Sequence, residues 1–146
     1  MQLTETRTEE AQLNMPGIPG PVRMESFQPH MHMRGKAMMT EAIYPDGRRE
    51  VLTFVDNFQW DFQTTFIYED DVAPLLPAGT ILQVIGWYDN SAKNPRNPEP
   101  RNWKGFGNRS IDDMMFDLGK YIALTEEEFQ AEVAARQAKR SKSTNN

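Results

Sequence analysis

Cysteine is absent from this chain of 146 residues, and histidine occurs only twice. Without cysteine the chain has no disulfide framework, no zinc-finger site and no thiolate to serve as ligand or nucleophile. Any metal site must therefore be built from histidine, methionine and carboxylate side chains. The sequence also lacks a glycine-rich phosphate loop, a serine nucleophile motif and the paired carboxylates of a hydrolase, so no competing catalytic signature is present.

Long hydrophobic runs and an excess of positive charge are missing as well. No apolar stretch approaches the length that crosses a bilayer, so we expect no membrane span. The net charge is −5, and the one basic cluster lies at residues 136–142, near the end of the chain. Because nucleic-acid binding needs clustered lysine and arginine to neutralise phosphates, we expect no nucleic-acid partner. Residues 1–20 carry no recognisable secretion signal.

The length and the pattern of the chain predict one domain with tails. Residues 1–21 are interpreted as an N-terminal arm and linker, because a polar, Thr/Glu-rich start is followed by a stiff run of proline and glycine. Residues 22–124 form the predicted domain. They are followed by a predicted short C-terminal helix at residues 125–140 and a disordered tail at residues 141–146.

Short runs rich in β-branched and aromatic residues, separated by turn signals, predict that the domain is all-β. The turn at Pro45-Asp46-Gly47 predicts that Arg49–Val55 returns antiparallel to the strand before it, since proline and glycine favour tight-turn backbone angles. The spacing of the runs is typical of a sandwich or a barrel. The predicted strands are residues 22–27, 31–44, 49–55, 62–68, 80–88 and 112–124.

Two segments late in the chain have distinctive patterns. Residues 89–107 are dominated by Asn, Pro, Arg and Gly. So long an irregular segment is typically functional or mobile, and we expect it to contact a substrate or a partner. Thr125 and Glu128 match a capping box, which predicts a helix from Glu126 to about Arg140. The few apolar positions of this helix favour packing on a partner over packing on the domain's own core.

The two histidines lie together in the run His30-Met31-His32-Met33-Arg34-Gly35-Lys36. Residues i and i+2 of a strand point to the same face, so both imidazoles can reach one ion from a rigid backbone. Two unrelated surface histidines are the alternative interpretation. A third ligand is a carboxylate, water or a methionine thioether, and a soft thioether favours copper over zinc or magnesium. Met31 and Met33 are interpreted as the core-facing side of the same strand.

These residues carry a resemblance to a known family. Residues 27–124, about two thirds of the chain, resemble the second, C-terminal domain of the copper type II ascorbate-dependent monooxygenases. This is the family of peptidylglycine α-hydroxylating monooxygenase and dopamine β-monooxygenase. Its domain holds the oxygen-binding copper through a His-x-His pair followed by Gly-Lys, and through a methionine in a later acidic-Met motif. The matching residues here are His30-Met31-His32 with Gly35-Lys36, and Asp112-Asp113-Met114.

The resemblance implies that His30, His32 and Met114 hold one copper ion. Met115 is the alternative to Met114, and only one of the two can reach the metal because neighbouring strand residues point to opposite faces. The implied fold is an antiparallel, jelly-roll-like β-sandwich, to which the N-terminal arm and the short C-terminal helix are attached.

The resemblance also implies chemistry, location and partners. Enzymes of the family use ascorbate or another reductant to hydroxylate a C–H bond of a small-molecule or peptide substrate, in a periplasmic or secreted location. They need a second copper held by three histidines in a preceding domain, whereas this chain has no third histidine. We therefore expect another subunit or domain with an electron-transfer site. Two alternatives are a copper-binding module without hydroxylase activity and a structural subunit of a larger redox assembly.

Four charged residues of these motifs have two interpretations each. Arg34 and Lys36 either steer an anionic substrate or ascorbate, or they form a solvated face. Asp112 and Asp113 either orient a histidine ligand by accepting a hydrogen bond from its other ring nitrogen, as carboxylates commonly do, or they form a charged start to the last strand.

Overall fold

The structure, a computed structural model, describes residues 8–14 and 17–144, with side chains for residues 17–142. The predictions for residues 1–7, 15–16 and 145–146 lie outside the described residues. The strands are β1 (Thr8–Asn14), β2 (Val22–Met24), β3 (Ser26–Phe27), β4 (Pro29–Met31), β5 (Gly35–Ile43), β6 (Arg49–Val55), β7 (Phe66–Ile67), β8 (Leu75–Leu76), β9 (Ile81–Asp89), β10 (Met115–Asp117) and β11 (Tyr121–Ala123), and the helix is α1 (Glu126–Thr144). The prediction of a mostly β domain with antiparallel pairing is confirmed.

The largest sheet has four strands in the order β1-β9-β5-β6. Strands β5 and β6 form the predicted hairpin, in which the Gly47 amide donates to the Tyr44 carbonyl at 2.9 Å. Gly47 has a φ of 85°, a conformation that strains any residue with a Cβ. The turn residues therefore specify the hairpin locally, as the sequence predicted.

Strand β1 lies inside the expected N-terminal arm. It pairs in antiparallel register with β9 over its whole length, from Thr8 opposite Asp89 to Asn14 opposite Gln83. The polar composition of this segment concealed the strand, because pairing through backbone hydrogen bonds does not require apolar side chains.

Two predicted strands are each divided between different sheets. The smaller sheets have the orders β10-β4, β11-β2-β8 and β3-β7. Residues 22–27 are divided at Glu25, whose amide donates to the Lys120 carbonyl and whose carbonyl accepts from the Tyr68 amide. Residues 112–124 are divided into β10 and β11. A hydrophobic pattern does not reveal these divisions, because they depend on partners far away in the sequence.

Two other predicted strands are shorter than expected. Only Phe66–Ile67 of residues 62–68 forms a strand. Residues 31–44 are interrupted by a turn in which the Gly35 amide donates to the His32 carbonyl at 2.9 Å. A Cβ on Gly35 would lie only 2.7 Å from the Cβ of Met31, so glycine permits the chain to fold back this closely.

The main core lies between the large sheet and the smaller sheets. Strands β5 and β9 contribute Met38 and Val84, and strands β4 and β10 contribute Met31 and Met115 from the other layer. Met31 is fully buried, which confirms its predicted position, whereas Met33 is only half-buried in the turn. The buried side chains of this core are Met24, Phe27, Met31, Met38, Phe58, Val84, Tyr88 and Met115.

Helix α1 begins at the predicted capping box. The Thr125 amide donates to the Glu128 carboxylate at 2.8 Å, and the Glu128 amide donates to Thr125 Oγ1 at 3.2 Å. Two N–H groups of the helix start are thereby satisfied. The helix continues to Thr144, beyond the predicted end near Arg140, because neither proline nor glycine interrupts this segment.

Helix α1 docks on its own domain. Phe129 is buried, and Arg136 donates to the backbone carbonyls of Asp70 and Ala73. The helix was predicted to pack on a partner, but it packs on its own domain. The hydrogen bonds of Arg136 hold it there in addition to the contacts of its narrow apolar stripe. Within the described residues, no helix is long and apolar enough to cross a membrane.

Candidate metal centre

The two histidines lie at the end of a short strand and in the turn that follows. His30 belongs to β4, and His32 is the first residue of the turn that leads into β5. The predicted continuous strand thus ends between them. Their rings are nevertheless close, with centroids 5.5 Å apart and planes at 79°.

This separation is compatible with one shared ion. An ion bound about 2 Å from a ring nitrogen lies about 3 Å from the centroid of that ring, so two rings on one ion have centroids at most about 6 Å apart. The observed 5.5 Å meets this limit. The two rings are therefore close enough to share one metal ion.

Gln63 orients the ring of His30. Its Oε1 lies 2.6 Å from His30 Nδ1, while its Nε2 donates to the carbonyls of Trp60 at 3.0 Å and Met31 at 3.4 Å. Because the amide nitrogen already donates to two carbonyls, Oε1 must accept, and His30 must carry its proton on Nδ1. In a neutral imidazole with this tautomer the lone pair is on Nε2. Gln63 was not predicted as part of the centre, because it is 33 residues from His30 and belongs to no motif.

Asp112 orients His32, though not through its carboxylate. Its backbone carbonyl lies 3.1 Å from His32 Nδ1. Because a carbonyl can only accept a hydrogen bond, His32 must donate from Nδ1, as His30 does. The Asp112 carboxylate instead accepts from the exposed Arg109 guanidinium at 2.7 and 3.0 Å. These hydrogen bonds lower the pKa of Asp112 to about 2. Within the described residues, no hydrogen bond involves Nε2 of either histidine.

The register of β10 separates the two candidate methionines. Met115 is paired with Met31 and Phe116 with His30. Met115 is 7% exposed and packs in the main core, so close to Gly86 that a Cβ there would collide with its sulfur. If the alternation of β10 continued by one residue, Met114 would lie on the face of Phe116 and His30. Its carbonyl accepts from the Tyr88 hydroxyl at 2.9 Å.

Arg34 is buried, contrary to both predictions for this residue. It was expected either to steer an anion or to be solvated, but it is only 1% exposed. Its Nε and Nη2 donate to Asp113 Oδ1 at 3.1 and 2.5 Å. Asp113 therefore pairs with Arg34 instead of orienting a histidine. Lys36 is exposed, as its solvated interpretation requires.

The irregular segment at residues 89–107 reaches the neighbourhood of the histidines at its end. Asn94 Nδ2 donates to the Asp89 carbonyl at 2.8 Å, which holds the start of the segment to β9. Phe106 is 72% exposed, and its ring meets that of Phe116 edge-on at 6.1 Å. Phe116 is the cross-strand neighbour of His30, so an apolar surface adjoins the candidate centre.

Neither a second cluster of metal-binding side chains among the described residues nor a similar known protein points to a different site. In the described part of the chain, no group of three or more His, Cys, Asp and Glu side chains has the arrangement of a metal site. Two histidines with a thioether are a different donor set from such a group. No protein-family model matches the chain, and a search of curated proteins finds no match.

Proposed function

We propose that this chain is a copper-binding domain that holds one copper ion through His30, His32 and Met114. Its role would be that of the oxygen-activating half of an ascorbate-dependent monooxygenase. The observation that carries the proposal is the pair of imidazoles 5.5 Å apart, each held through Nδ1, with no hydrogen bond to either Nε2 among the described residues. Neutral imidazoles fixed in this way are typical metal ligands.

The surrounding residues support this role. Gln63 Oε1 and the Asp112 carbonyl accept the Nδ1 protons, which orients both rings and raises the basicity of their Nε2 atoms. Two imidazoles and a weak thioether would favour Cu(I), and the bound copper would supply one-electron and dioxygen chemistry. Phe116 and Phe106 offer an apolar surface beside His30 on which a small-molecule or peptide substrate can lie.

The proposal extends to the finer fold, the partner and the location. We take the two β layers as a jelly-roll-like sandwich of the same family. The chain contains only two histidines, so a second copper site of three histidines has to come from outside it. Another subunit or domain with an electron-transfer site, ascorbate or another reductant, and a periplasmic or secreted location belong to this proposal.

Copper titration monitored by electron paramagnetic resonance tests the metal. We expect one copper per chain with a type II signal that is lost in the His30→Ala, His32→Ala double variant. Met114→Leu and Met115→Leu form a matched pair on neighbouring residues, and Cu(I) affinity should fall only in the first. An equal effect of both, or copper binding that survives loss of both histidines, would refute the assignment.

A non-catalytic module is the second candidate function. The observation that favours it is again the count of two histidines, which leaves this chain with one candidate site. Oxygen consumption driven by ascorbate, measured with a candidate substrate and with any partner, separates the two. Reduction of bound copper without substrate-coupled turnover would favour an electron-transfer module, whereas a chain without stoichiometric copper would be a structural subunit of a redox assembly.

A further inference from the structure

The proposed ligands come from two segments that are far apart in the sequence. His32 lies in the turn after β4, and the carbonyl that orients it belongs to Asp112, 80 residues later. The ladder between β4 and β10 covers Met115 to Asp117 and ends there. Met114 lies one residue beyond this ladder. Sheet pairing alone therefore does not fix its distance from the histidine rings.

One buried ion pair spans this gap. Arg34 follows His32 by two residues, and Asp113 directly precedes Met114. Two guanidinium nitrogens of Arg34 converge on one oxygen of Asp113, and the arginine side chain is 1% exposed. Charged hydrogen bonds shielded from water are stronger and more directional than exposed ones. The pair thus joins the histidine turn to the methionine segment.

The backbone of both residues is held as well. The Asp113 amide donates to the Gly105 carbonyl at 3.0 Å, and its own carbonyl accepts from the Gly107 amide at 3.0 Å. The Arg34 carbonyl accepts from the Asp89 amide at 2.8 Å. The ion pair therefore joins two anchored segments, together with the contact between His32 Nδ1 and the Asp112 carbonyl and the hydrogen bond from Tyr88 to the Met114 carbonyl.

We propose that Arg34 and Asp113 form a clasp that positions the Met114 thioether relative to the two histidine rings. This inference rests on the copper site proposed above. Both are positioning residues, since neither would touch the metal. A thioether is a weak ligand, so its coordination depends on a backbone that already presents it. The clasp provides that placement where the β4–β10 ladder has ended.

The test compares two clasp variants with a matched control. Asp113→Asn keeps the shape and removes the charge. The Arg34→Met, Asp113→Asn double variant removes both charges, so that no unpaired charge is left buried. Arg109→Ala is the control. Arg109 is 74% exposed, and the variant deletes its ion pair with Asp112, the residue next to Asp113.

X-ray absorption and Cu(I) competition with a chromophoric chelator provide readouts that a purely structural role would not move. The clasp variants should lose the sulfur scatterer at copper and keep the two nitrogen scatterers, with Cu(I) affinity lowered about 10–100-fold. The control should behave like the unmodified protein. In a Met114→Leu background the clasp variants should lower the affinity no further, because the ligand through which they act is already missing.

The outcomes separate this inference from the proposed function. Sulfur scattering and Cu(I) affinity that stay unchanged in the folded double variant would overturn the clasp and leave the copper site standing. A further loss of affinity in the Met114→Leu background would also overturn it, since the pair would then act on the histidines. Unmodified protein that binds no copper would refute the proposed function, and the clasp with it.

Discussion

Replacing Gln63 with leucine tests how the candidate centre is built. The variant keeps the approximate size of the side chain and removes the oxygen that accepts the His30 Nδ1 proton at 2.6 Å. It also removes the donations to the carbonyls of Trp60 and Met31. Without its acceptor the His30 ring can rotate and can move its proton to Nε2, the atom proposed to bind the metal.

The contacts set two magnitudes for Gln63→Leu. Loss of a group that orients a histidine ligand lowers metal affinity about 10–100-fold, which corresponds to about 1.4–2.7 kcal/mol of binding free energy. Each lost hydrogen bond is worth about 0.5–1.5 kcal/mol net, and water replaces part of this because Gln63 is partly exposed. We therefore expect the free energy of unfolding to fall by about 1–2 kcal/mol.

Two assays measure these effects separately. Cu(I) competition gives the affinity, and urea denaturation of the metal-free protein gives the stability. Gln59→Leu is the matched control, because this exposed glutamine of the same segment bonds to Asn57 and Arg96 and contacts neither histidine. If Gln63→Leu binds Cu(I) as tightly as the control does, Gln63 does not orient a ligand and the reasoning is wrong.

Three further predictions concern packing, helix capping and pH. Gly86→Ala places a Cβ against the Met115 sulfur and should lower the free energy of unfolding by about 1–3 kcal/mol in urea denaturation. Thr125→Ala removes the side-chain half of the capping box and should cost about 1 kcal/mol by the same measurement. Arg109→Ala should raise the pKa of Asp112 from about 2 toward 3.8 in a carboxyl titration by nuclear magnetic resonance. Because the folded-state pKa is depressed, the Asp112 ion pair stabilises the fold above the unfolded-state pKa of about 3.9, and this contribution is lost as pH falls toward about 2.

Each of these predictions has a control or a contradicting result. Gly20→Ala places its Cβ in open space, so an equal loss of stability there would argue against the collision at Gly86. Ser141→Ala removes a hydroxyl near the other end of α1 and should change stability less than the Thr125 variant. An Asp112 pKa that stays near 2 in Arg109→Ala would show that the ion pair is not its cause.

Features that depend on neighbouring residues were predictable from the sequence. The hairpin at Gly47 and the capping box at Thr125 appear where they were expected, because a few adjacent residues make all of their defining hydrogen bonds. The proximity of His30 and His32 also follows from their spacing, even though the strand ends between them.

Other features depended on contacts between distant segments, and only the tertiary structure decided them. Strand alternation predicts that Met114 and Met115 point to opposite faces. Which of these faces is the core depends on the pairing of β10 with β4, more than 80 residues earlier. Gln63 and the buried position of Arg34 likewise depend on segments that meet only after folding. The two histidines were thus evident in the sequence, whereas the groups bonded to their Nδ1 atoms, the burial of Met115 and the Arg34–Asp113 ion pair depend on the packing of the sheets. The physical reason is that short-range patterns encode local backbone geometry, while side-chain partners are chosen by the fold as a whole.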